Sequence, residues 1–515
     1  MVTSPHALAS EAGARILRDG GNALEAAIAI GSAIAVVYPH FCGLGGDSVW
    51  LVADRNGRRS CFLGIGQSAQ VLPDFDGSIP ARGPLSALTS ACAVDAWRHA
   101  HEYSTRHWGG NIAFSALLAD AIRLAKDGFP VTRSQGFWLS FRQQEVAAWP
   151  GFAEIFMPKG VAPQTGTLFR QKKLAKSLEL IARDGPRSFY EGELGARIAA
   201  GLKVAGSPVT GADLAATHTR ETEPSSLGYR GVELLAPPPP TQGISTLAIM
   251  GILSHFDFKD LTPGSADHIH LCVEAVKRAF LDRNGIADPD FTSQPVGEWL
   301  SPSHLARSAR SIELDHALDW PQPFRTGDTV FFGATDARGG SVSVLQSTYF
   351  DWGSGVVAGD TGILWQNRGA AFSVDPAHPN VIAPAKRPFY TLNPGLGLKH
   401  GRPALLYGTQ GADGQPQTLS MILTRLIDFG EDPATALAGP RFLLGKTFSD
   451  SRDSLKLELD AGDAVFAELT ARGHTLSPIE RLSPLAGQAG VIVIAEDGAV
   501  LGAHDPRGDG TASSI

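Results

Sequence analysis

Over residues 1 to 40 apolar positions recur at helical spacing. Leu8, Ala9, Ala12 and Ile16 predict one helix, Gly20-Gly21 ends it, and Asn22 can cap the next. The run Ala23 to Tyr38 is apolar almost throughout but contains Glu25. It falls short of the roughly 20 residues a membrane span needs, so it predicts a buried helix. A glycine loop, Cys42-Gly-Leu-Gly-Gly-Asp-Ser48, then leads into a strand at Val49-Trp-Leu-Val52. A phosphate cradle needs strand, loop and helix in that order. Here the loop follows a helix and precedes a strand, which predicts tight backbone packing. Residues 110 to 310 read as mainly helical, with helices over Phe114 to Lys126, Leu174 to Arg183, Glu193 to Val204 and Ala266 to Asp282. Pro237-Pro-Pro-Pro240 is too short for a linker and marks an ordered loop.

Further on, the period changes to two. Val342, Val344 and, less cleanly, Gln346 fall on one face of a strand, with Ser341, Ser343, Leu345 and Ser347 on the other. The simplest reading is a strand pair flanking a turn at Asp336 to Gly340, its first strand beginning at Thr329-Val-Phe-Phe332. Glu313 to Asp328, with its charges and prolines, reads as an exposed loop before that strand. Beyond it β patterns alternate with helices over Thr418 to Leu426 and Ala461 to Arg472, and the chain closes on a buried strand, Gly490 to Ala495.

Composition narrows the class. With 515 residues, 43% hydrophobic and 19% charged, a large core is feasible without staples, as several domains or as one intertwined unit. The net charge of -8 comes without a long single-sign run, which argues against nucleic acid or an acidic membrane as partner. The four cysteines, Cys42, Cys61, Cys92 and Cys272, show no CxxC spacing, so no zinc site, redox motif or disulfide framework is expected. His268 and His270 lie two apart on a predicted helix, about 200° apart around its axis, and cannot share an ion unaided. Asp288-Pro-Asp290 lacks the glycine and terminal glutamate of a calcium loop. No metal is expected.

Taken alone, Thr329 is one strand threonine among many. The segments that follow it, Ser341-Val-Ser-Val344, Gly353-Ser-Gly-Val-Val-Ala-Gly359 and Gly362-Ile-Leu-Trp-Gln-Asn367, together with Thr329-Val-Phe-Phe332, resemble the start of the small subunit in the γ-glutamyltranspeptidase family. The resemblance runs along nearly the whole chain. Upstream it includes Asp19-Gly-Gly-Asn22, Gly43-Leu-Gly-Gly46, Lys126-Asp-Gly-Phe129, Tyr229-Arg-Gly231 and Ala279-Phe-Leu-Asp-Arg283; downstream, Lys386-Arg-Pro388, Gly408-Thr-Gln-Gly411, Gly439-Pro-Arg-Phe442 and Asp505-Pro-Arg507. Each is weak alone, and their order carries the resemblance.

The resemblance implies an α+β fold, the four-layer αββα sandwich of N-terminal-nucleophile hydrolases. It also implies self-cleavage between Asp328 and Thr329, giving a large chain of residues 1 to 328 and a small chain of residues 329 to 515. These would form an αβ heterodimer wrapped into one body, with further dimerisation left open. Cleavage would give Thr329 a free α-amine beside its hydroxyl. A hydroxyl needs an adjacent base to act as nucleophile, and an α-amine of pKa about 7.7 to 8 can serve near pH 7 after a modest downward shift. By the same resemblance Ser347 stands where the family has a threonine that hydrogen-bonds this amine. Gly411 and Ala412 stand where the family has a glycine pair whose N–H groups stabilise the oxyanion. No cofactor is implied. Exported relatives carry a leader that this sequence does not show, so a cytoplasmic location is expected.

The family's grip on a glutamyl group is missing. Its arginine aligns with Ile65 or Gly66 and its aspartate with Ala371. Asparagine and glutamine positions become Tyr349 and Arg368, and a serine pair becomes Tyr390-Thr391. Each lost charge-assisted bond is worth roughly 1.5 to 3 kcal/mol, so γ-glutamyl groups should bind poorly. The segment from Phe372 to Lys386 is also shorter than the lid-bearing version. Arg368 is either a fork for a substrate carboxylate or a salt-bridge partner of Asp351. In the first case the substrate is a small amide with a carboxylate beside the scissile bond. Tyr349-Phe-Asp-Trp-Gly-Ser-Gly355 and Trp365-Gln-Asn-Arg-Gly369 resemble the oxamate amidohydrolase branch. A glutathione hydrolase or γ-glutamyltransferase with a rebuilt grip, an acylase of bulkier amides, and an inactive binding protein are the alternatives.

Overall fold

Two antiparallel sheets lie face to face between two layers of helices. The computed structural model describes residues 1–149, 151–320, 329–447 and 451–515. One sheet has seven strands in the spatial order Thr511–Ser513, Val2–Ser4, Val330–Thr335, Ser341–Ser347, Asp47–Ala53, Arg59–Gly64 and Arg220–Thr222. The other has six, in the order Val500–His504, Ala489–Ile494, Arg402–Thr409, Gly395–Lys399, Val232–Ala236 and Ser225–Tyr229. Val49, Leu51, Leu63, Phe331 and Leu345 of the first sheet share a core with Leu235, Leu396 and Leu398 of the second. The sheets meet closely here: a Cβ on Gly408 would lie 2.2 Å from the Phe331 ring.

The two-residue period of the strand after Thr329 places its side chains as predicted. Val342 and Val344 face the helices of the first outer layer, whereas Leu345 faces the opposite sheet. Both faces are buried because sheets cover one side and helices the other. The predicted turn joins this pair: Asp336 accepts the Gly340 N–H at 3.0 Å and also the Ala23 N–H at 2.9 Å, fixing the hairpin to the second helix. That helix, Ala23–Val37, is buried at every residue. Asn22 caps it, its side chain accepting the Leu24 and Glu25 N–H groups while Glu25 accepts the Asn22 N–H. The other outer layer packs Gly243–Leu253, Ala266–Arg283 and Gln415–Ile427 on the second sheet.

Five strands, Phe129–Pro130, Leu168–Phe169, Arg220–Thr222, Ser225–Tyr229 and Val232–Ala236, interrupt the region read as mainly helical. Two more, Val500–His504 and Thr511–Ser513, follow the strand expected to close the chain. Strands this short carry too few residues to show a period. Arg220–Thr222, Val232–Ala236 and Thr511–Ser513 also take partners remote in sequence, whereas Ser225–Tyr229 and Val500–His504 pair with the strand beside them in the chain. Strands from before and after residue 329 adjoin each other within both sheets. The single apolar core between the sheets therefore draws on both segments.

Candidate active site

Thr329 immediately precedes the central strand Val330–Thr335 and is buried. Its hydroxyl has no hydrogen-bond partner among the described residues. Asp328, the other side of the expected cut, lies outside the described residues. In the ladder between the two hairpin strands Gln346 pairs with Val330, so the next pair outward is Ser347 and Thr329. On its other side Ser347 pairs with Asp47. Paired residues of neighbouring strands project from the same face. Thr329, Ser347 and Asp47 therefore form a row on the face that carries Phe331, Leu345 and Val49 toward the second sheet. The glycine loop before Asp47 packs tightly, as its order predicted: a Cβ on Gly46 would stand 2.2 Å from the Ser347 carbonyl oxygen, and one on Gly45 2.3 Å from that of Leu364.

From this row a chain of contacts reaches the remaining candidates. The Ser347 hydroxyl accepts the Tyr349 N–H at 2.7 Å. Tyr349 adopts φ +82°, a conformation costly for a side chain with Cβ. Its ring lies against the Arg368 guanidinium, 4.0 Å from the ring centre, and the Tyr390 ring covers the guanidinium at 4.1 Å. Arg368 is fully buried, and none of its three side-chain nitrogens has a hydrogen-bond partner among the described residues. The Asp351 alternative fails: that carboxylate is held by Arg142 at 2.8 Å and Arg82 at 3.2 Å. Those arginines reach it first because Asp351 points back toward the helix Arg133–Val146.

Asp47, which sequence reasoning left unassigned, is a buried carboxylate that feels the charge of Arg368. Its Oδ1 accepts the N–H groups of Gly66 at 2.9 Å and Cys92 at 2.8 Å, and its Oδ2 accepts the Tyr390 hydroxyl. Burial pushes the Asp47 carboxyl upward, opposed by the Tyr390 hydrogen bond and the positive charge of Arg368. Burial and the Asp47 charge likewise push the Tyr390 hydroxyl well up. An acidic residue opening a strand as apolar as Val49 to Val52 was the available signal.

The positions expected to lack the family's glutamyl grip, Ile65, Gly66 and Ala371, are all packed. A Cβ on Gly66 would lie 1.8 Å from the Ser90 carbonyl oxygen, so no side chain fits there. Ile65 packs into the core between the sheets. Ala371 is buried, its carbonyl accepting the Asn380 side-chain N–H at 2.7 Å. In the shortened segment that follows, Lys386 donates to the carbonyls of Pro379 at 2.8 Å and Val381 at 2.9 Å.

Gly411 and Ala412 follow the strand Arg402–Thr409 and carry φ +116° and +44°. Three bonds set the planes of this turn. The Thr409 hydroxyl donates to the Gln410 carbonyl at 2.9 Å, and the Gly414 N–H to the Gly411 carbonyl at 2.7 Å. The Gln242 side-chain N–H groups reach the Ala412 carbonyl at 2.7 Å and the Thr391 carbonyl at 2.9 Å. A trans peptide N–H points opposite the carbonyl before it, so the Gly411 and Ala412 N–H groups point away from the Thr409 hydroxyl and the Gly414 N–H that hold the Gln410 and Gly411 carbonyls. The Thr391 hydroxyl is buried and has no partner among the described residues. All eight residues singled out from sequence and lying within the described region thus join one network. The two residues missed, Asp47 and Gln242, tie it together.

His268 and His270 do not meet. His268 bonds the Thr424 hydroxyl at 2.8 Å, while His270 bonds His474 at 2.8 Å and the Glu313 carbonyl at 2.7 Å. Glu274 lies beside this second pair, where its carboxylate faces Lys277 and Arg278. Among the described residues no helix is long and apolar enough to cross a membrane.

An αββα sandwich with a threonine at the head of a central strand defines a hydrolase of the N-terminal-nucleophile class. The gamma-glutamyltranspeptidase family model matches residues 9–515, and the chain belongs to the γ-glutamyltranspeptidase family. The oxamate amidohydrolase proenzyme of Klebsiella pneumoniae is 42% identical over 518 residues, covering 100% of this chain and 98% of its own. A glutathione hydrolase-like proenzyme of Bacillus subtilis is 41% identical over 524 residues, covering 100% and 98%. The crystal structure of cephalosporin acylase from Bacillus halodurans superposes with a TM-score of 0.91 at 32% identity, covering 100% of this chain and 95% of its own.

Proposed function

We propose that this chain is a self-processing threonine amidohydrolase that releases ammonia from a small amide carrying a carboxylate next to the scissile carbonyl, as oxamate does. The observation that carries this reading is Arg368. A buried guanidinium with no hydrogen-bonded oxygen is costly unless a ligand supplies one. Tyr349 and Tyr390 close both of its faces, leaving its N–H edges for a planar carboxylate. Because Tyr349 is bonded to Ser347, which pairs across from Thr329, a carboxylate there lies close to the reacting atoms. A short substrate suits that spacing better than a γ-glutamyl chain.

In the proposed reaction, cleavage between Asp328 and Thr329 frees the Thr329 amine, which Ser347 orients. The amine takes the Thr329 hydroxyl proton as the oxygen attacks the amide carbon. The oxyanion forms against the N–H groups of Gly411 and Ala412, each such donor being worth roughly 3 kcal/mol. Collapse passes the proton to the leaving nitrogen and releases ammonia, leaving an ester on Thr329. Water then hydrolyses the ester and restores the hydroxyl. The names of the relatives agree with processing and amide hydrolysis, two being proenzymes.

Ammonia release from oxamate, compared with anilide release from a γ-glutamyl anilide, tests the reading. Turnover of oxamate alone is expected. Turnover of the anilide alone would overturn it in favour of a γ-glutamyl enzyme with a rebuilt grip, and a bulky acyl amide as sole substrate would favour an acylase.

A further inference from the structure

We propose that Gln242 is a positioning residue of this site: its side-chain amide holds the Gly411-Ala412 turn and the Tyr390-Thr391 segment in one arrangement, so that the oxyanion donors and the wall beside Arg368 are set together. The proposal rests on the oxyanion role given above to Gly411 and Ala412.

Gln242 is fully buried and precedes the helix Gly243–Leu253. One amide nitrogen bears two hydrogens, and both are used on carbonyls from separate segments: Ala412 at 2.7 Å and Thr391 at 2.9 Å. The backbone reinforces the second link. Gln242 donates its own N–H to the Tyr390 carbonyl at 2.8 Å, and Tyr390 returns one to the Pro240 carbonyl at 2.8 Å. The loop Pro237 to Pro240 is thereby an ordered brace, consistent with its sequence.

The turn needs this brace because Ala412 sits at φ +44°, where an alanine is disfavoured by about 1 kcal/mol or more. Rotation of Ala412 toward an ordinary φ would swing its N–H away from the oxyanion. The bond from Gln242 to the Ala412 carbonyl opposes that rotation. The side-chain bond to the Thr391 carbonyl, beside the backbone bond from the Gln242 N–H to the Tyr390 carbonyl, holds the Tyr390 ring on Arg368. No other side chain of the described residues donates to the Ala412 carbonyl. A leucine in place of Gln242 would keep the volume and lose both donors. A glutamate would place a negative charge against two carbonyl oxygens, and would recover one donor when protonated.

The test measures kcat and KM for oxamate hydrolysis per mole of cleaved chain, from pH 5 to 8, for wild type, Gln242→Leu and Gln242→Glu. For Gln242→Leu a roughly 10- to 100-fold fall in kcat is expected, less than loss of a whole oxyanion donor, with KM within about threefold. For Gln242→Glu the loss should be larger at pH 8 and should shrink relative to wild type as the pH falls. An unchanged kcat in Gln242→Leu, or a Gln242→Glu deficit independent of pH, overturns the role. Should Gln242→Leu fail to fold, the Gln242→Glu pH profile decides alone. Cleaved wild-type protein that turns over no amide would instead sink the reading of the site itself.

Discussion

Arg368 offers the sharpest quantitative expectation. Its guanidinium is buried between two tyrosine rings with no hydrogen-bonded acceptor. A substrate carboxylate bound in fork geometry would make two charge-assisted bonds of roughly 1.5 to 3 kcal/mol each. Arg368→Gln removes both, a loss of about 3 to 6 kcal/mol in the bound complex. At about 1.4 kcal/mol per factor of ten, kcat/KM for oxamate should fall by roughly two to four orders of magnitude. Arg368→Lys keeps the charge but presents a point donor in place of a fork, and should fall between the two. Fold stability should respond far less. The variant loses two cation–π contacts of about 0.5 to 2 kcal/mol each, yet it also removes a desolvated cation, and these effects oppose. The assay is ammonia release from oxamate by protein whose intact mass shows normal cleavage. An Arg368→Gln enzyme within threefold of wild type would refute the carboxylate fork.

Three further outcomes are expected. Thr329→Ala should give one uncut chain by intact mass and no amide turnover, and an active variant would discard the threonine mechanism. Gly66→Ala should destabilise by on the order of 3 kcal/mol or prevent folding, because its Cβ would stand 1.8 Å from a backbone oxygen; a normal thermal midpoint would contradict that packing. Burial pulls His268 down to about 3 and His6 to about 4, below the roughly 6.5 of an unfolded histidine. The unfolded chain therefore binds protons that the folded chain refuses. Stability should be complete above about pH 6.5 and decline toward pH 4, by up to about 1.4 kcal/mol per pH unit for each histidine. Urea unfolding at pH 7 and pH 5 measures the decline, and His268→Gln should reduce it.

How much of this was legible in the chain depended on distance. The helix Ala23–Val37, its Asn22 cap and the hairpin around Asp336 follow from local periods and turn chemistry, and all were readable. The short strands between residues 220 and 236 and after residue 500 were not. They are too short to show a period, and two of them, Arg220–Thr222 and Thr511–Ser513, pair only with strands remote in sequence. Motif order along the chain identified the eight candidate residues, since each sits in a segment with its own spacing. Asp47 and Gln242 gave no comparable signal. Asp47 fell within a loop read as tight packing, and Gln242 carried no reading.

Residue order alone therefore determined the longer, periodic elements, the family and the chemical types available: a threonine at a strand head, a hydroxyl in the strand after it, a glycine turn and an unexpected arginine. Only the tertiary structure decided which charges meet. It turned Asp351 toward Arg82 and Arg142 and left Arg368 between two rings. It set Asp47 in the row of Thr329 and Ser347, and used one glutamine amide to join two distant segments. The physical reason is that periodicity and turn chemistry act over a few residues, whereas a buried charge or amide takes its partner from whatever the packed sheets bring within about 3 Å.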